Sequence, residues 1–182
     1  MEVAATALIS DANVLIDYLK AGRHGVLKLV SEHICAIKIP YEILKEVEQL
    51  TKELADELIE LYEESLEQIA AAAKRSGRLS PQDRLCYDIA ANEGWGVWTS
   101  DQQLHRHCSS TDIPVIWGLQ MLLILHEQKL IRFDYAQATA QKIFEDNEFI
   151  TQKVLDDFLV KLDLIRKRIA EPPSKPRKKP AK

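Results

Sequence analysis

The chain reads as an α/β protein: three α/β/α layers around a central parallel sheet of four to five strands, followed by a C-terminal helical extension. Three observations predict this. Short apolar runs ended by turn- or cap-forming residues recur at 6–10, 34–39, 96–100 and 113–117, as expected of strands buried on both faces. Stretches of helical spacing separate them, and strand alternating with helix builds a parallel sheet covered on both sides. Beyond residue 131 only helical patterns remain.

The first strand, 6–10, ends at Asp11, and a short helix over 13–20 runs to Gly22. A further helical piece spans 25–31, and the second strand, 34–39, is stopped by Pro40. A long helix is then predicted from Tyr41, because Ile43, Val47, Leu50, Leu54, Leu58 and Leu61 keep the spacing of one buried stripe. It breaks somewhere in 61–73 and resumes. After the basic loop 74–78 comes a strong helix start: Ser80 is a good N-cap, Pro81 fits the first helical position and Asp83 sits where a capping-box acid belongs. That helix stops at Gly94. The third strand, 96–100, leads into a short helix over 101–108, and in the fourth, 113–117, Pro114 points to a sheet edge. An apolar helix over 118–127 precedes two more at 135–146 and 151–170, the last with Val154, Phe158, Leu162 and Ile165 on one stripe. The expected organisation is a main domain over 1–132, a helical extension over 133–170 and a disordered, basic tail over 171–182.

Four acids stand at the edges of these elements: Asp11 and Asp101 just after strands, Glu46 and Asp83 in the first turns of helices. If the two strands lie side by side and parallel, their carboxyl ends bring Asp11 and Asp101 to the rim where open α/β sheets place their ligands. Crowded carboxylates raise one another's pKa unless a divalent cation neutralises them, and hard oxygen donors suit Mg²⁺ or Mn²⁺. Each acid also has a plain alternative as a helix cap. Asp88 is expected to be solvated or paired, Asp17 is set aside as an ordinary helix residue, and Asp112 is placed as an outside candidate for the same rim.

Composition narrows the classes. At 46% hydrophobic and 29% charged the chain resembles a soluble globular protein. It holds no run near the ~20 apolar residues of a membrane span, and its start lacks the basic opening of a signal peptide. A cytoplasmic protein is expected. Cys35, Cys86 and Cys108 form no familiar spacing and read as small apolar residues; His105, His107 and Cys108 match no zinc signature and are expected on a surface helix. Net charge is −4, yet the last twelve residues carry five Lys/Arg against one Glu, so the first 170 carry −8. An acidic body is a poor non-specific nucleic-acid binder, and any such role falls to local basic spots or the tail. Trp95, Trp98 and Trp117 read as packing or dimer residues before base-stacking ones.

The segments Ile9-Ser10-Asp11-Ala12-Asn13, Pro40 to Val47, Leu79 to Leu85 and Trp98-Thr99-Ser100-Asp101 resemble, in order and spacing, the PIN-domain ribonucleases, the fold of the VapC-type toxins. The resemblance covers roughly 6–130. It implies a Mg²⁺- or Mn²⁺-dependent endoribonuclease, plausible as the toxin of a type II toxin–antitoxin pair, with an RNA substrate, an antitoxin partner and a homodimer habit. It maps the metal-binding and catalytic carboxylates onto Asp11, Glu46, Asp83 and Asp101, preferring Glu46 to Glu42, and gives Asn13 and Thr99 or Ser100 supporting roles. Many relatives carry another acid two residues after the last Asp; here that place is Gln103, which weakens the hold on a second metal. Arg23 with His24, or Lys74, Arg75 and Arg78, are the candidate RNA phosphate contacts. Two other functions compete: an RNA-processing nuclease with no antitoxin, and a binding module of the same fold with weak or lost catalysis. A phosphatase or receiver-like doubly wound fold also uses acids at strand ends, but the matching Lys or Thr signal is missing.

Overall fold

A computed structural model describes residue 3 and residues 5–170, apart from the side chains of residues 52, 53 and 56. The basic tail expected at 171–182 lies outside the described residues. Five strands, β1 (Ala7–Ser10), β2 (Ala36–Pro40), β3 (Glu60–Tyr62), β4 (Gly96–Thr99) and β5 (Val115–Trp117), form one sheet in the order β3-β2-β1-β4-β5. Every neighbouring pair is parallel. Helices α1 (Ala12–Lys20) and α2 (His24–His33) link β1 to β2, α3 (Tyr41–Leu44) and α4 (Lys52–Leu58) link β2 to β3, and α5 (Leu66–Lys74) and α6 (Pro81–Glu93) carry the chain back across the sheet to β4. Helix α7 (Gln102–Ser109) joins β4 to β5, and α8 (Gln120–Glu127), α9 (Phe133–Asp146) and α10 (Gln152–Ala170) follow. Helices α6 and α7 pack on the β1, β4 and β5 part of the sheet and on each other, while α1, α2 and α8 join α9 and α10 in a second group.

Strands β1 and β4 are buried along their whole length, as their unbroken apolar runs require. Pro114 stands just before β5, which is an edge strand. Its carbonyl still accepts from Val97 N at 2.8 Å, so the missing N–H costs the ladder nothing on the paired side. Helix α6 begins as its sequence dictates: Ser80 Oγ accepts from Asp83 N at 3.0 Å and Pro81 occupies the first turn. It ends on Gly94 in the left-handed region (φ 70°).

The long helix expected from Tyr41 is not formed. Helix α3 lasts one turn, tight turns follow (Glu46 N to Ile43 O, Val47 N to Leu44 O and Leu50 N to Val47 O, each 3.0 Å), and a new helix starts where Thr51 Oγ1 accepts from Leu54 N at 3.3 Å. At Ile59 the backbone turns extended and enters β3, a strand that the leucine pattern conceals. Burial explains the misreading. Ile43, Val47, Leu50 and Leu58 are all buried, as one stripe would have them, but from three local structures, and Leu61 on β3 is 38% exposed. The acidic residues between them (Glu46, Glu48) stay outside in turns as readily as on a helix face.

The C-terminal helices belong to the same core as the sheet. Ala136, Ala140 and Ile143 of α9 and Leu155, Phe158, Leu162 and Ile165 of α10 join its buried cluster, with α9 against α1 and α8 and α10 against α8 and α9. The buried stripe of α10 begins at Leu155, and Val154 is 47% exposed, because Thr151 O accepts from Leu155 N and the first turn rotates Val154 outward. Among the described residues no helix is long and apolar enough to cross a membrane. The three cysteines are free, and α7 turns His107 outward while Cys108 is buried as a small apolar residue.

Candidate functional site

The order β3-β2-β1-β4-β5 reverses direction between β1 and β4. At such a switch point the loops leaving two neighbouring strands go to opposite faces and a crevice opens at the carboxyl ends. Asp11 leaves β1 and Asp101 lies two residues beyond β4, one on each side of this crevice. A receiver-like domain has the strand order 2-1-3-4-5, so this topology speaks against that alternative.

Pairing fixes the local geometry. Ser10 is level with Trp98, and the ladder continues through Asp11 N, which donates to Trp98 O at 3.1 Å. One residue further, Thr99 Oγ1 meets the Asp11 carboxylate and donates to its Oδ2. The same hydroxyl accepts from Asp101 N at 2.9 Å, so a single buried threonine ties both acids together. Asp11 Oδ2 also receives Ser100 N at 3.3 Å, and Oδ1 receives Val14 N at 2.9 Å as the N-cap of α1. Asp101 caps α7 through Leu104 N at 2.7 Å. Asp83 lies in the first turn of α6, its Oδ2 accepting from Ser80 Oγ at 2.7 Å. Three helix N-termini therefore converge on three acids, and their dipoles favour the charge gathered there.

Capping alone explains any one of these acids, but not their shared electrostatics. Asp11 is 4% exposed. Burial, against the pull of its hydrogen bonds and with the added push of the Asp83 charge, raises its carboxyl from 3.8 to about 7. Burial also raises Asp83, with the Asp101 charge adding to it. Beneath them, one turn along α6 from Asp83, the buried Cys86 thiol is pushed well above its ordinary range by desolvation, then by the charges of Asp11, Asp83 and Glu46. The thiol thus feels three of the four sequence-predicted acids. Glu46 itself is exposed in the turn after α3 rather than in a helix. Nearer the β2 end, Glu42 and Tyr41 donate their backbone N–H groups to Glu64 at 2.6 and 2.8 Å, so Glu64, which no sequence signal marked, caps α3.

Of the supporting residues, Thr99 and Ser100 hold Asp11, while Asn13 is exposed on α1. Asp17, set aside as an ordinary helix residue, is half-buried on α1. Burial raises its carboxyl to about 6, against hydrogen bonds from Asn147 (Nδ2, 2.8 Å) and from the Ser100 side chain. Ser100 thus acts on both acids, its backbone N–H bonded to Asp11 and its side chain favouring the charged form of the half-buried Asp17. The available signal was position: Asp17 falls three residues after the buried Val14 and next to the buried Tyr18, at the border of the inward stripe of α1. Asp112 stands before β5 in a parallel sheet, hence at the opposite, amino end, which removes it from the rim. Asp88 is paired, with Arg75 at 2.9 Å.

The candidate RNA contacts separate. Arg23 lies beyond the far end of α1 from Asp11, its Nε donating to Thr139 Oγ1 at 3.1 Å and its guanidinium 5.0 Å from the centre of the Tyr135 ring. Lys74 ends α5, exposed. Arg75 and Arg78 line a cavity of about 510 Å³ between the 75–79 loop, α6 and α7. Trp98 is buried, Trp117 stacks on His105 with centroids 3.9 Å apart, and Trp95 packs edge-on to Tyr62. A second cavity, about 460 Å³, opens beside Ser100 between Trp117, α8 and the start of α10, with Phe149 at its lip.

As oxygen donors these acids suit Mg²⁺ or Mn²⁺. Among the described residues, however, no group of three or more His, Cys, Asp or Glu side chains is close enough to hold a metal ion by itself. Comparison of the chain with family models, with curated proteins and with solved structures finds no match in any of the three.

Proposed function

We propose that this chain is a metal-dependent, PIN-like ribonuclease that hydrolyses RNA phosphodiester bonds at the rim between β1 and β4. The observation that carries the reading is the set Asp11, Asp83 and Asp101, which come to the switch-point end of the sheet from three separate elements, with the Asp83 charge helping to raise the Asp11 carboxyl and the Asp101 charge helping to raise that of Asp83. A protein spends stability to keep Asp11 ionised there at neutral pH, and a cation offsets that cost. Mg²⁺ suits a sparse site because it keeps several waters and needs only one or two direct carboxylates. A bound divalent ion would lower the pKa of its water and relieve phosphate charge. The residues' own part is to orient it: Thr99 and Ser100 fix the Asp11 carboxylate, and Thr99 holds the backbone of Asp101 beside it.

The absence of a ready three-acid group among the described residues favours a second reading, an RNA-binding module of the same fold with little catalysis. One experiment separates the two: cleavage of a mixed-sequence single-stranded RNA with Mg²⁺ or Mn²⁺, against EDTA, by wild type and Asp11→Asn. Cleavage confined to metal-loaded wild type, with a loss of at least a hundredfold in the variant, is expected. Metal-independent cleavage, or equal rates in the two proteins, refutes the nuclease reading. A folded wild type that binds RNA without cutting it supports the second.

A further inference from the structure

Arg84 follows Asp83 on α6 and points elsewhere. Its side chain is 93% buried (7% exposed), a rare state for a residue that is always charged. Its bonds are weak: Nη1 to Ser76 O at 3.4 Å and Nη2 to Leu79 O at 3.3 Å, both near the outer limit of a hydrogen bond. Nε has no partner, and among the described residues no carboxylate pairs with the group. A buried ion left in that condition is costly unless something else neutralises it.

Its surroundings say what that is. The guanidinium lies against the 510 Å³ cavity, whose walls are two helix faces. Arg84, Tyr87 and Asp88 come from α6 at i, i+3 and i+4; Gln103, Arg106 and His107 come from α7 at i, i+3 and i+4, and Ser110 caps its C-terminus. The 75–79 loop closes the third side, with Gly77 so near that a Cβ there would stand 3.1 Å from Arg84 Nη2. Asp88 is the sole carboxylate of the lining among the described residues, and Arg75 is paired with it. Arg78, Arg84 and Arg106 are left without a counter-charge, in a protein whose first 170 residues carry −8. The Tyr87 and His107 rings, 4.4 Å apart, add an aromatic wall.

We infer that this cavity is a phosphate-binding subsite that takes the phosphorylated end of an RNA strand whose body runs toward Asp83. Three uncompensated guanidinium groups suit a terminal phosphomonoester, with a charge near −2, better than a backbone diester with −1. The cavity is roomy enough for one nucleotide, and the rings supply a surface for its base. Arg84 supplies the buried, geometrically fixed donor, and Arg78 and Arg106 close from the rim. The identity of the strand as RNA rests on the nuclease reading; the phosphate site rests on the cavity alone.

The test is binding by the full-length chain, without divalent metal and in the Asp11→Asn background so that cleavage plays no part. Calorimetry compares the dinucleotide UpU with its 5′-phosphorylated and 3′-phosphorylated forms and with inorganic phosphate. At least one phosphorylated form is expected to bind fivefold or more tighter than UpU, with inorganic phosphate competing. Arg84→Gln and, separately, the exposed Arg106→Gln should each cost that preference tenfold or remove it. Arg106→Gln keeps the test decisive if Arg84→Gln fails to fold. Equal affinity for UpU and both phosphorylated forms, or a preference unchanged in Arg106→Gln and in any folded Arg84→Gln, overturns the assignment. Cleavage by wild type without terminal-phosphate preference defeats this inference alone. Preference without cleavage leaves it standing and defeats the nuclease.

Discussion

At the scale of single residues, Asp11 carries the clearest consequence. Its carboxyl ionises near 3.8 in the unfolded chain and near 7 in the fold. Between those values the folded state holds more protons, so stability falls as pH rises from about 4 to about 7 and then levels off. The full effect is on the order of 4 kcal/mol. Asp17 adds a contribution of the same sign that is complete near pH 6. Urea denaturation at pH 5 and pH 8 should show wild type weaker at the higher pH and the gap much reduced in Asp11→Asn, whose amide still caps α1. Millimolar Mg²⁺ should raise the pH 8 midpoint of wild type and leave the variant's unchanged, since a ligand of the folded state alone stabilises it. Identical shifts in both proteins would remove Asp11 from any metal site. Thr99 offers a second test. Thr99→Val leaves Asp11 Oδ2 and Asp101 N short of a buried partner, a cost of about 1–3 kcal/mol in thermal denaturation, while Thr99→Ser should cost far less.

Among the elements, the sequence spoke most clearly where local chemistry and tertiary need agree. Strands β1, β2, β4 and β5 and helix α6 announce themselves through unbroken apolar runs, through Ser80-Pro81 and through Gly94. Asp11, Asp83 and Asp101 were legible because an acid at a strand end or in a first turn is conspicuous. Between Tyr41 and Tyr62 local and global signals diverged: apolar spacing of three and four was met by turns and a strand, and only the Thr51 cap betrayed the break. Arg84 and Glu64 were illegible for another reason, since Arg84 finds its partners on the 75–79 loop and Glu64 reaches α3 from the loop after β3, and no local pattern fixes the path of either loop. Packing of this kind also governs the loop after β5. A Cβ on Gly118 would stand 2.4 Å from Ser100 Oγ, while its carbonyl accepts from Tyr18 (2.9 Å) and Trp98 (3.3 Å). Gly118→Ala should therefore destabilise by about 1–3 kcal/mol and shift Trp98 fluorescence. Adding Ser100→Ala should recover part of the loss, and a double-mutant cycle showing strict additivity would contradict the contact.

For the whole molecule, alternation of strand and helix was enough to foresee a parallel sheet, but not the strand order that sets the crevice between β1 and β4, because order depends on which edge each crossover chooses. The reach of α9 and α10 into the common core was likewise hidden, their amphipathic stripes naming a buried face without naming its cover. Removing residues 133–182 uncovers the apolar surface of α8 and the outer side of α1. The shortened chain should lose its cooperative thermal transition or aggregate, and Leu162→Ala in the full chain should cost about 2–5 kcal/mol. A truncated protein that melts as sharply and as high as the parent would show these helices to be dispensable.

The hydrogen bond from Thr99 to Asp11 joins positions 88 apart in the chain. During synthesis the ribosome must release everything through β4 before the two halves of the rim can meet. A nascent or prematurely terminated polypeptide carries Asp11 and even Asp83 as ordinary solvated acids, with no crevice to arm. Whatever chemistry the rim performs can begin only after the segment through Thr99 has been made and folded against Asp11.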